Sequence, residues 1–199
     1  MIDQAVILCG GNAERLQDRS RGEDYLMGLP KPLVEVGGQP FVYYGISMLM
    51  VAGITDIVLL SKVQDFQKYT DHLKWRPLKT WRQEAAKSDI NVGVLGIAEL
   101  QEKFLLLNGD CLPIMSVMEW VDLVSLDEPL VTYKVVGDRD AGMAVILRKH
   151  IELGVIDCGR ISDFRNVYRP YIVSGGLHIG TPQGLHRARQ FVDTSMFGQ

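Results

Sequence analysis

A short apolar strand followed directly by two glycines constrains this sequence more than any other feature. Residues 5–8 read AVIL, a run that is typical of a strand buried on both faces, and Gly10 and Gly11 end it. Because glycine lacks a Cβ atom, such a turn lets backbone N–H groups come close to an anion. The pattern predicts either a phosphate-binding turn or an ordinary tight turn between a strand and a helix.

Further short apolar runs recur along the chain, with helical patterns between them. This alternation predicts an α/β fold in which a mainly parallel sheet carries helices on both faces, giving three layers. We expect strands at residues 5–8, 57–60, 92–97, 104–107, 130–136 and 144–147. We expect helices at residues 41–51, 65–75, 117–124 and 182–192.

Length and charge exclude several classes of protein. The 199 residues suffice for a single domain, residues 1–199, with one core. A formal net charge of −3 gives no basic field for nucleic acid, and no run approaches the roughly 20 apolar residues of a membrane span. The three cysteines lack paired metal-ligand spacing, which favours a reducing compartment, so we expect a cytoplasmic protein.

A lysine between two prolines follows the glycine turn. Pro30 and Pro32 restrict the backbone on both sides of Lys31, and Arg15 stands on a predicted helical turn. Two cations that are held in place facing one glycine turn are better suited to binding a polyphosphate than to a position in a hydrophobic core. Surface charges beside an ordinary turn are the alternative.

The order of these residues resembles the signature of the sugar-1-phosphate nucleotidyltransferases, of the mannose-1-phosphate and heptose-1-phosphate guanylyltransferase type. The matching residues are Gly10, Gly11, Arg15, Leu16, Pro30, Lys31, Pro32, Leu33, Val36, Gly37, Gly38 and Pro40. The resemblance implies a Rossmann-like nucleotide-diphospho-sugar transferase fold. It also implies an enzyme that joins a nucleoside triphosphate to a sugar 1-phosphate and releases pyrophosphate, with GTP as the preferred triphosphate.

The resemblance assigns catalytic roles to Arg15 and Lys31, which would neutralise charge as the sugar phosphate attacks the α-phosphorus. It implies nucleotide contacts at Leu8, Gly10, Gly11, Asn12, Asn108 and Gly109. Ala13 and Glu14 depart from the signature. A carboxylate about 4 Å from a phosphate oxygen near the surface would repel it by roughly 4 kcal/mol. Glu14 must therefore point away, pair with a cation, or weaken triphosphate binding.

A second motif follows the apolar run at residues 104–107, where Asn108, Gly109 and Asp110 stand at a predicted strand end. Ligands of open α/β sheets bind outside the carboxyl ends of the strands, so Asp110 is a candidate catalytic residue and ligand for Mg²⁺. An ordinary Asn-Gly-Asp turn is the alternative. By the resemblance, His178 occupies the place of a second metal-binding aspartate. Histidine suits Mn²⁺, Co²⁺ or Zn²⁺ better than Mg²⁺, and a neutral, hydrogen-bonded histidine is the alternative.

The segments that would recognise the base and the sugar match the family poorly. The family has a glycine-rich element that approaches the base, and only residues 95–98 of this chain resemble it. Gln83 is the candidate base contact. Residues 81–83 fit either a loop over a base or an irregular surface patch. Gly142 and Gly176 are the candidate sugar contacts.

A second function stays open beside the enzyme. Glu14, His178 and the short middle segment are also consistent with a catalytically weak or inactive relative that binds a nucleotide or sugar nucleotide and regulates a partner. A chain that has kept only the fold is the third possibility. The sequence gives no preference between a single chain and a homo-oligomer.

Overall fold

The computed structural model describes residues 2–11, 16–18, 23–24, 26, 28–73, 81–126, 128–134 and 140–197. Its strands are β1 (Gln4–Leu8), β2 (Gln17–Asp18), β3 (Glu23–Asp24), β4 (Glu35–Val36), β5 (Gln39–Pro40), β6 (Asp56–Ser61), β7 (Trp81–Ala85), β8 (Lys103–Asn108), β9 (Cys111–Ile114), β10 (Leu130–Lys134), β11 (Asp140–Leu147), β12 (Arg169–Val173) and β13 (Gly175–His178). Its α-helices are α1 (Phe41–Val51), α2 (Phe66–Leu73), α3 (Ile90–Leu95), α4 (Val117–Ser125), α5 (Arg148–Glu152) and α6 (Pro182–Phe197).

One large sheet organises the molecule. Its strand order is β12-β10-β11-β8-β1-β6-β7, and β11 alone among these strands runs antiparallel to its neighbours. The predicted fold class, a mainly parallel α/β sheet, is confirmed. Because β1, β6, β7 and β8 are parallel, the segments that follow them all leave the sheet at the same edge.

Helices cover both faces of this sheet, as predicted. Alternate residues of β1 face opposite sides: Ala5 and Ile7 join the core that contains Tyr69 of α2 and Trp120 of α4, whereas Val6 joins the opposite core. The second core contains residues of α3 and α5. The strand is therefore apolar at successive positions because both of its faces are buried.

Most helices begin where the sequence predicts. The helix over residues 41–51 is confirmed as α1, and α6 begins at Pro182. Ser116 caps α4: its hydroxyl accepts a hydrogen bond from the Glu119 backbone, and the Glu119 carboxylate accepts one from the Ser116 backbone. None of the described helices is both long enough and apolar enough to cross a membrane.

Two local predictions are wrong. Residues 92–97 do not form a strand, because Asp89 caps a helix there by accepting a hydrogen bond from the Val92 amide, and only one side of that helix is buried. A short apolar run fits a buried helix as well as a strand. Residues 81–83 are neither a loop nor an irregular patch, since they belong to β7, which pairs with β6 at the edge of the sheet.

A small antiparallel ribbon lies beside the large sheet. It consists of β9 and β13, and its register places His178 opposite Cys111. The Ile179 amide donates a hydrogen bond of 2.9 Å to the carbonyl oxygen of Asp110, which continues the ribbon beyond β13. A third core cluster packs Leu185 and Ala188 of α6 near this ribbon.

Candidate functional site

A cavity of about 760 Å³ lies at the carboxyl ends of the parallel strands. It is lined by residues that follow β1, β6, β7 and β8: Cys9, Gly10, Gly11, Lys62, Ala86, Lys87, Ser88, Asp110 and Cys111. Leu8, Lys31, Asn108 and His178 also line it. Open α/β sheets bind their ligands at this edge, so the topology itself marks the cavity as the candidate site.

An ion pair between Lys31 and Asp110 forms part of the cavity lining. The Lys31 Nζ is 2.7 Å from the Asp110 Oδ2, and the two side chains are only 11% and 19% exposed. Gly109 allows this placement, because its amide donates to the Leu8 carbonyl oxygen at 3.0 Å and a Cβ would lie 2.9 Å from that oxygen. The turn after β8 can therefore pack directly against the end of β1.

The surroundings of Asp110 keep it ionised. Burial alone would raise the pKa of Asp110, but hydrogen bonds from His178 and Lys31 and the positive charge of Lys31 together hold that pKa well below its usual range. The His178 Nε2 lies 3.3 Å from the same Oδ2 that Lys31 contacts. An ionised carboxylate in this position can pair with a cation.

The ribbon brings two more side chains to Asp110. The donor atoms of Asp110, Cys111 and His178 all lie within 4.8 Å of one another, and the Cys111 Sγ is 3.5 Å from the Asp110 Oδ1. The predicted metal ligands Asp110 and His178 are thus neighbours in space. Cys111 was not predicted to belong to the site.

Two glycines leave room for these side chains. Gly142 has φ of +80°, and a Cβ on it would overlap the Cβ of Cys111 and lie 2.8 Å from its Sγ. A Cβ on Gly180 would overlap the ring of His178 and lie 3.4 Å from the Asp110 Oδ2. Both positions tolerate only glycine while the neighbouring side chain keeps its place.

The donor set fits Mg²⁺ poorly. Mg²⁺ takes oxygen ligands, and of these three clustered side chains only the Asp110 carboxylate supplies oxygen. The thiol of Cys111 and the imidazole of His178 suit softer ions such as Zn²⁺. A role for Mg²⁺, or for Mn²⁺ in its place, stays a prediction.

The lysines of the cavity lining give it an excess of positive charge. Lys31, Lys62 and Lys87 line it, and Asp110 is the carboxylate among its described lining residues. The chain as a whole has a formal charge of −3, so this excess is local. Cations grouped around a glycine turn favour an anionic ligand such as a polyphosphate.

The remaining predicted residues fall into three groups. Leu8, Gly10, Gly11 and Asn108 line the cavity, and Gly109 lies beneath it. Gln83, Gly142 and Gly176 are not among the lining residues. Asn12 and Arg15, together with Ala13 and Glu14, lie outside the described residues.

The position of Gln83 gives no support to its predicted contact with a base. Its side-chain amide donates to the carbonyl oxygen of Phe66 at 3.2 Å and to the hydroxyl of Thr70 at 3.1 Å. These bonds tie the edge strand β7 to α2. Gly176 belongs to the ribbon, where it pairs with Pro113, and Gly142 of β11 lies against Cys111 of the ribbon. Neither predicted sugar contact is part of the cavity lining.

The sequence reasoning missed several lining residues. Lys62 directly follows β6, and the rule that parallel strands end at one edge could have identified it. Lys87 and Ser88 follow β7, which the sequence pattern did not reveal. Cys111 gave no signal, because a single cysteine beside an aspartate has no characteristic ligand spacing.

The sequence of the chain is similar to those of known proteins. A family model described as nucleotidyl transferase matches residues 4–142. A mannose-1-phosphate guanyltransferase from Aspergillus fumigatus is 32% identical over 102 residues, which cover 51% of this chain and 26% of that protein. The chain thus aligns with about a quarter of the length of this curated relative.

Solved structures match the fold over nearly the whole chain. HddC from Yersinia pseudotuberculosis, also determined as a complex with GMP-PN, has a TM-score of 0.70 and 19% identity, covering 96% of this chain and 99% of its own. UDP-glucose pyrophosphorylase from Acinetobacter baumanii has a TM-score of 0.72 and 14% identity, covering 98% of this chain and 94% of its own. At these identities the likeness establishes the fold.

Proposed function

This chain belongs to the nucleotidyl transferase family, and on that premise we propose that it joins a nucleoside triphosphate to a sugar 1-phosphate and releases pyrophosphate. The observation that carries the proposal is the Lys31–Asp110 ion pair beside the glycine turn, in a cavity with two further lysines. The mannose-1-phosphate guanyltransferase relative supports a sugar 1-phosphate as the second substrate.

The glycine turn and Lys31 are suited to binding the triphosphate. Among the residues that the structure describes, none has an atom within 4 Å of a Cβ built on Gly11, so none of them blocks a phosphate from approaching the turn there. Lys31 is held by the 3-10 turn Lys31–Leu33 and reaches the cavity with little exposure. An ammonium group preorganised in a site of this kind can stabilise the charge that develops as pyrophosphate leaves.

The second substrate needs no general base. A phosphate monoester has a second pKa of about 6, so a sugar 1-phosphate is already largely a dianion at neutral pH. The problem that remains is repulsion between two polyanions, which Lys31, Lys62 and Lys87 reduce. A divalent cation bound at Asp110 would supply further charge neutralisation. Arg15 stays a predicted contributor to the same task.

GTP is the triphosphate that we propose. The tail of the chain resembles the guanylyltransferase type, the curated relative from Aspergillus fumigatus is a guanyltransferase, and HddC has been determined with GMP-PN. Residues after β7, including Lys87 and Ser88, line the cavity and are candidates for contact with the base in place of Gln83.

Binding without turnover is the second candidate. Lys31 is already paired with Asp110, and the third and fourth groups near that pair are a thiol and an imidazole rather than a second carboxylate. A regulatory protein that binds a nucleotide or sugar nucleotide would need the cavity and its lysines but not the chemistry.

Pyrophosphate release tests the first candidate directly. The purified chain is assayed with a panel of nucleoside triphosphates and sugar 1-phosphates, in the presence of several divalent cations. We expect turnover with at least one pair, and a loss of about 100-fold or more in kcat/KM in both Lys31→Met and Asp110→Asn. The matched controls Lys149→Met and Asp122→Asn change exposed residues outside the cavity and should keep the activity of the unmodified chain.

The same samples separate the two candidates. A ligand present at 100 times its Kd should stabilise the fold by about 2.7 kcal/mol, which thermal unfolding detects. Stabilisation by a sugar nucleotide without any pyrophosphate release would favour the regulatory candidate. Turnover that Lys31→Met and Asp110→Asn leave unchanged would contradict the proposed site.

A further inference from the structure

Three different kinds of metal-binding atom lie close together at the end of the ribbon where β9 begins and β13 ends. A carboxylate oxygen of Asp110, the sulfur of Cys111 and a ring nitrogen of His178 lie within 4.8 Å of one another. In a tetrahedral zinc site, ligand atoms that are 2.0–2.3 Å from the ion are about 3.5 Å apart. Small rotations of partly exposed side chains can therefore bring these donors to coordinating distance.

The fold holds two of these donors in place. His178 and Cys111 are paired across the ribbon. The next pair is held by a hydrogen bond that the Ile179 amide donates to the carbonyl oxygen of Asp110. Gly142 leaves the space that the Cys111 side chain fills, and Gly180 leaves the space that the His178 ring fills. The cluster is thus built by β9, β11 and β13 together and does not rest on one residue.

The charges of the cluster match a divalent ion. A thiolate and a carboxylate carry two negative charges, and a neutral imidazole adds none, so the three ligands balance the charge of Zn²⁺. Binding would release the proton of the Cys111 thiol to solvent. Thiolate and imidazole select zinc-like ions, whereas Mg²⁺ demands oxygen.

We infer that Asp110, Cys111 and His178 form a three-ligand site for Zn²⁺, with Cys111 as the residue that turns the site away from Mg²⁺. Three protein ligands leave the fourth tetrahedral position open to water or to a phosphate oxygen. The ion also replaces Lys31 as the partner of Asp110, which leaves the ammonium group available to a triphosphate. This last consequence rests on the proposed function, whereas the binding of the ion does not.

Cobalt substitution tests the site without any substrate. Co²⁺ occupies zinc sites and gives a sulfur-to-metal charge-transfer absorption when a thiolate coordinates it. We expect metal-free protein titrated with Co²⁺ to develop this band, and Zn²⁺ but not excess Mg²⁺ to remove it. Cys111→Ser should abolish the band, whereas Cys158→Ala, which removes a buried thiol from the opposite core, should keep it.

Zinc affinity provides the second measurement. Loss of an outer partner costs about 10–100-fold in metal affinity, so loss of a direct ligand in Cys111→Ser or His178→Asn should cost at least about 100-fold in competition with a chelator. His186→Asn, which changes an exposed histidine of α6, is the matched control and should bind Zn²⁺ like the unmodified chain. Unchanged thermal unfolding of the metal-free variants shows that the fold is intact.

The outcomes separate this inference from the proposed function. Absence of the charge-transfer band, or equal Zn²⁺ affinity with and without Cys111, would overturn the inference even if the chain transfers nucleotides with Mg²⁺. Zinc binding through all three residues in a chain that releases no pyrophosphate would support the inference while the proposed function fails.

Discussion

Two regions of the molecule contribute neighbours of Asp110, and they differ in origin and chemistry. The glycine-turn side consists of Gly10, Gly11 and Lys31, which come from the early segments around β1 of the large sheet. The ribbon side consists of Cys111 and His178, which the separate pair β9 and β13 brings together. The first supplies backbone and positive charge, whereas the second supplies soft donor atoms.

This difference indicates a division of roles within one site. The glycine-turn side sets the charge that an anionic substrate meets, because Lys31 is its buried cation. Under the inferred zinc site, the ribbon side would set which ion can share Asp110, because a thiol and an imidazole lie there in place of oxygen ligands. A change on one side should therefore leave the function of the other side measurable.

The largest effect is expected at Gly142 of β11, which lies against Cys111 of the ribbon side. Gly142→Ala would combine a left-handed backbone strain of about 1–2 kcal/mol with overpacking against Cys111 of about 1–3 kcal/mol. We expect the free energy of unfolding to fall by about 3–4 kcal/mol in denaturant titration. Gly154→Ala is the control, since Gly154 has φ of +66° but no atom within 4 Å of its Cβ position, and it should lose only about 1–2 kcal/mol. Equal losses in the two variants would show that contact with Cys111 is unimportant.

The next largest effect is expected in thiol reactivity, which should distinguish Cys111 of the ribbon side from the two buried cysteines. Burial raises the pKa of Cys9 to about 12, and burial likewise raises the pKa of Cys158 to about 12. At pH 8 only about one in ten thousand of each would be the reactive thiolate. We expect a thiol reagent to modify the half-buried Cys111 more than about 100-fold faster than either, as followed by mass spectrometry of digested protein. Modification of Cys9 at the rate of Cys111 would show that the glycine turn opens in solution.

A smaller effect is expected from the glycine beneath His178. Gly180→Ala would push the imidazole ring away from Asp110, because the added Cβ occupies the place of the ring. We expect zinc affinity to fall by about 10-fold, as for a partner that only positions a ligand. Gly175→Ala lies on the same ribbon, and its Cβ would meet only the flexible end of Ile114 at 3.3 Å, so it should bind zinc normally. Unchanged zinc affinity in Gly180→Ala would remove His178 from the ligand set.

The smallest effect is expected from a comparison of Gln83, which lies in β7, with Lys87, which follows β7 and lines the cavity. Gln83→Ala removes hydrogen bonds to α2 but no group that lines the cavity, so the KM for the triphosphate should change less than about twofold. Lys87→Met removes a cation from the cavity lining and should raise that KM several-fold. Steady-state kinetics at saturating sugar 1-phosphate gives both values. A larger change for Gln83→Ala than for Lys87→Met would restore Gln83 as the base contact.

Much of the fold could be predicted because local signals agreed. The run at residues 5–8 became β1, the helix predicted at residues 41–51 became α1, and the helix predicted at residues 117–124 became α4. The run at residues 92–97 failed, because Asp89 provides a helix cap that a search for apolar runs does not weigh. β7 was missed because an edge strand with half-buried residues has no strong apolar pattern.

By itself the sequence determined the parallel α/β architecture, the glycine turn and the order in which Lys31, Asp110 and His178 appear. These features follow from short stretches of chain, in which hydrophobic pattern and glycine positions act locally. Only the tertiary structure decided which side chains meet. Cys111 and His178 are 67 residues apart, and a ribbon register makes them neighbours, while Gln83 turns toward α2 because hydrogen bonds there are available. Contacts of this kind depend on packing between distant segments, which no local pattern encodes.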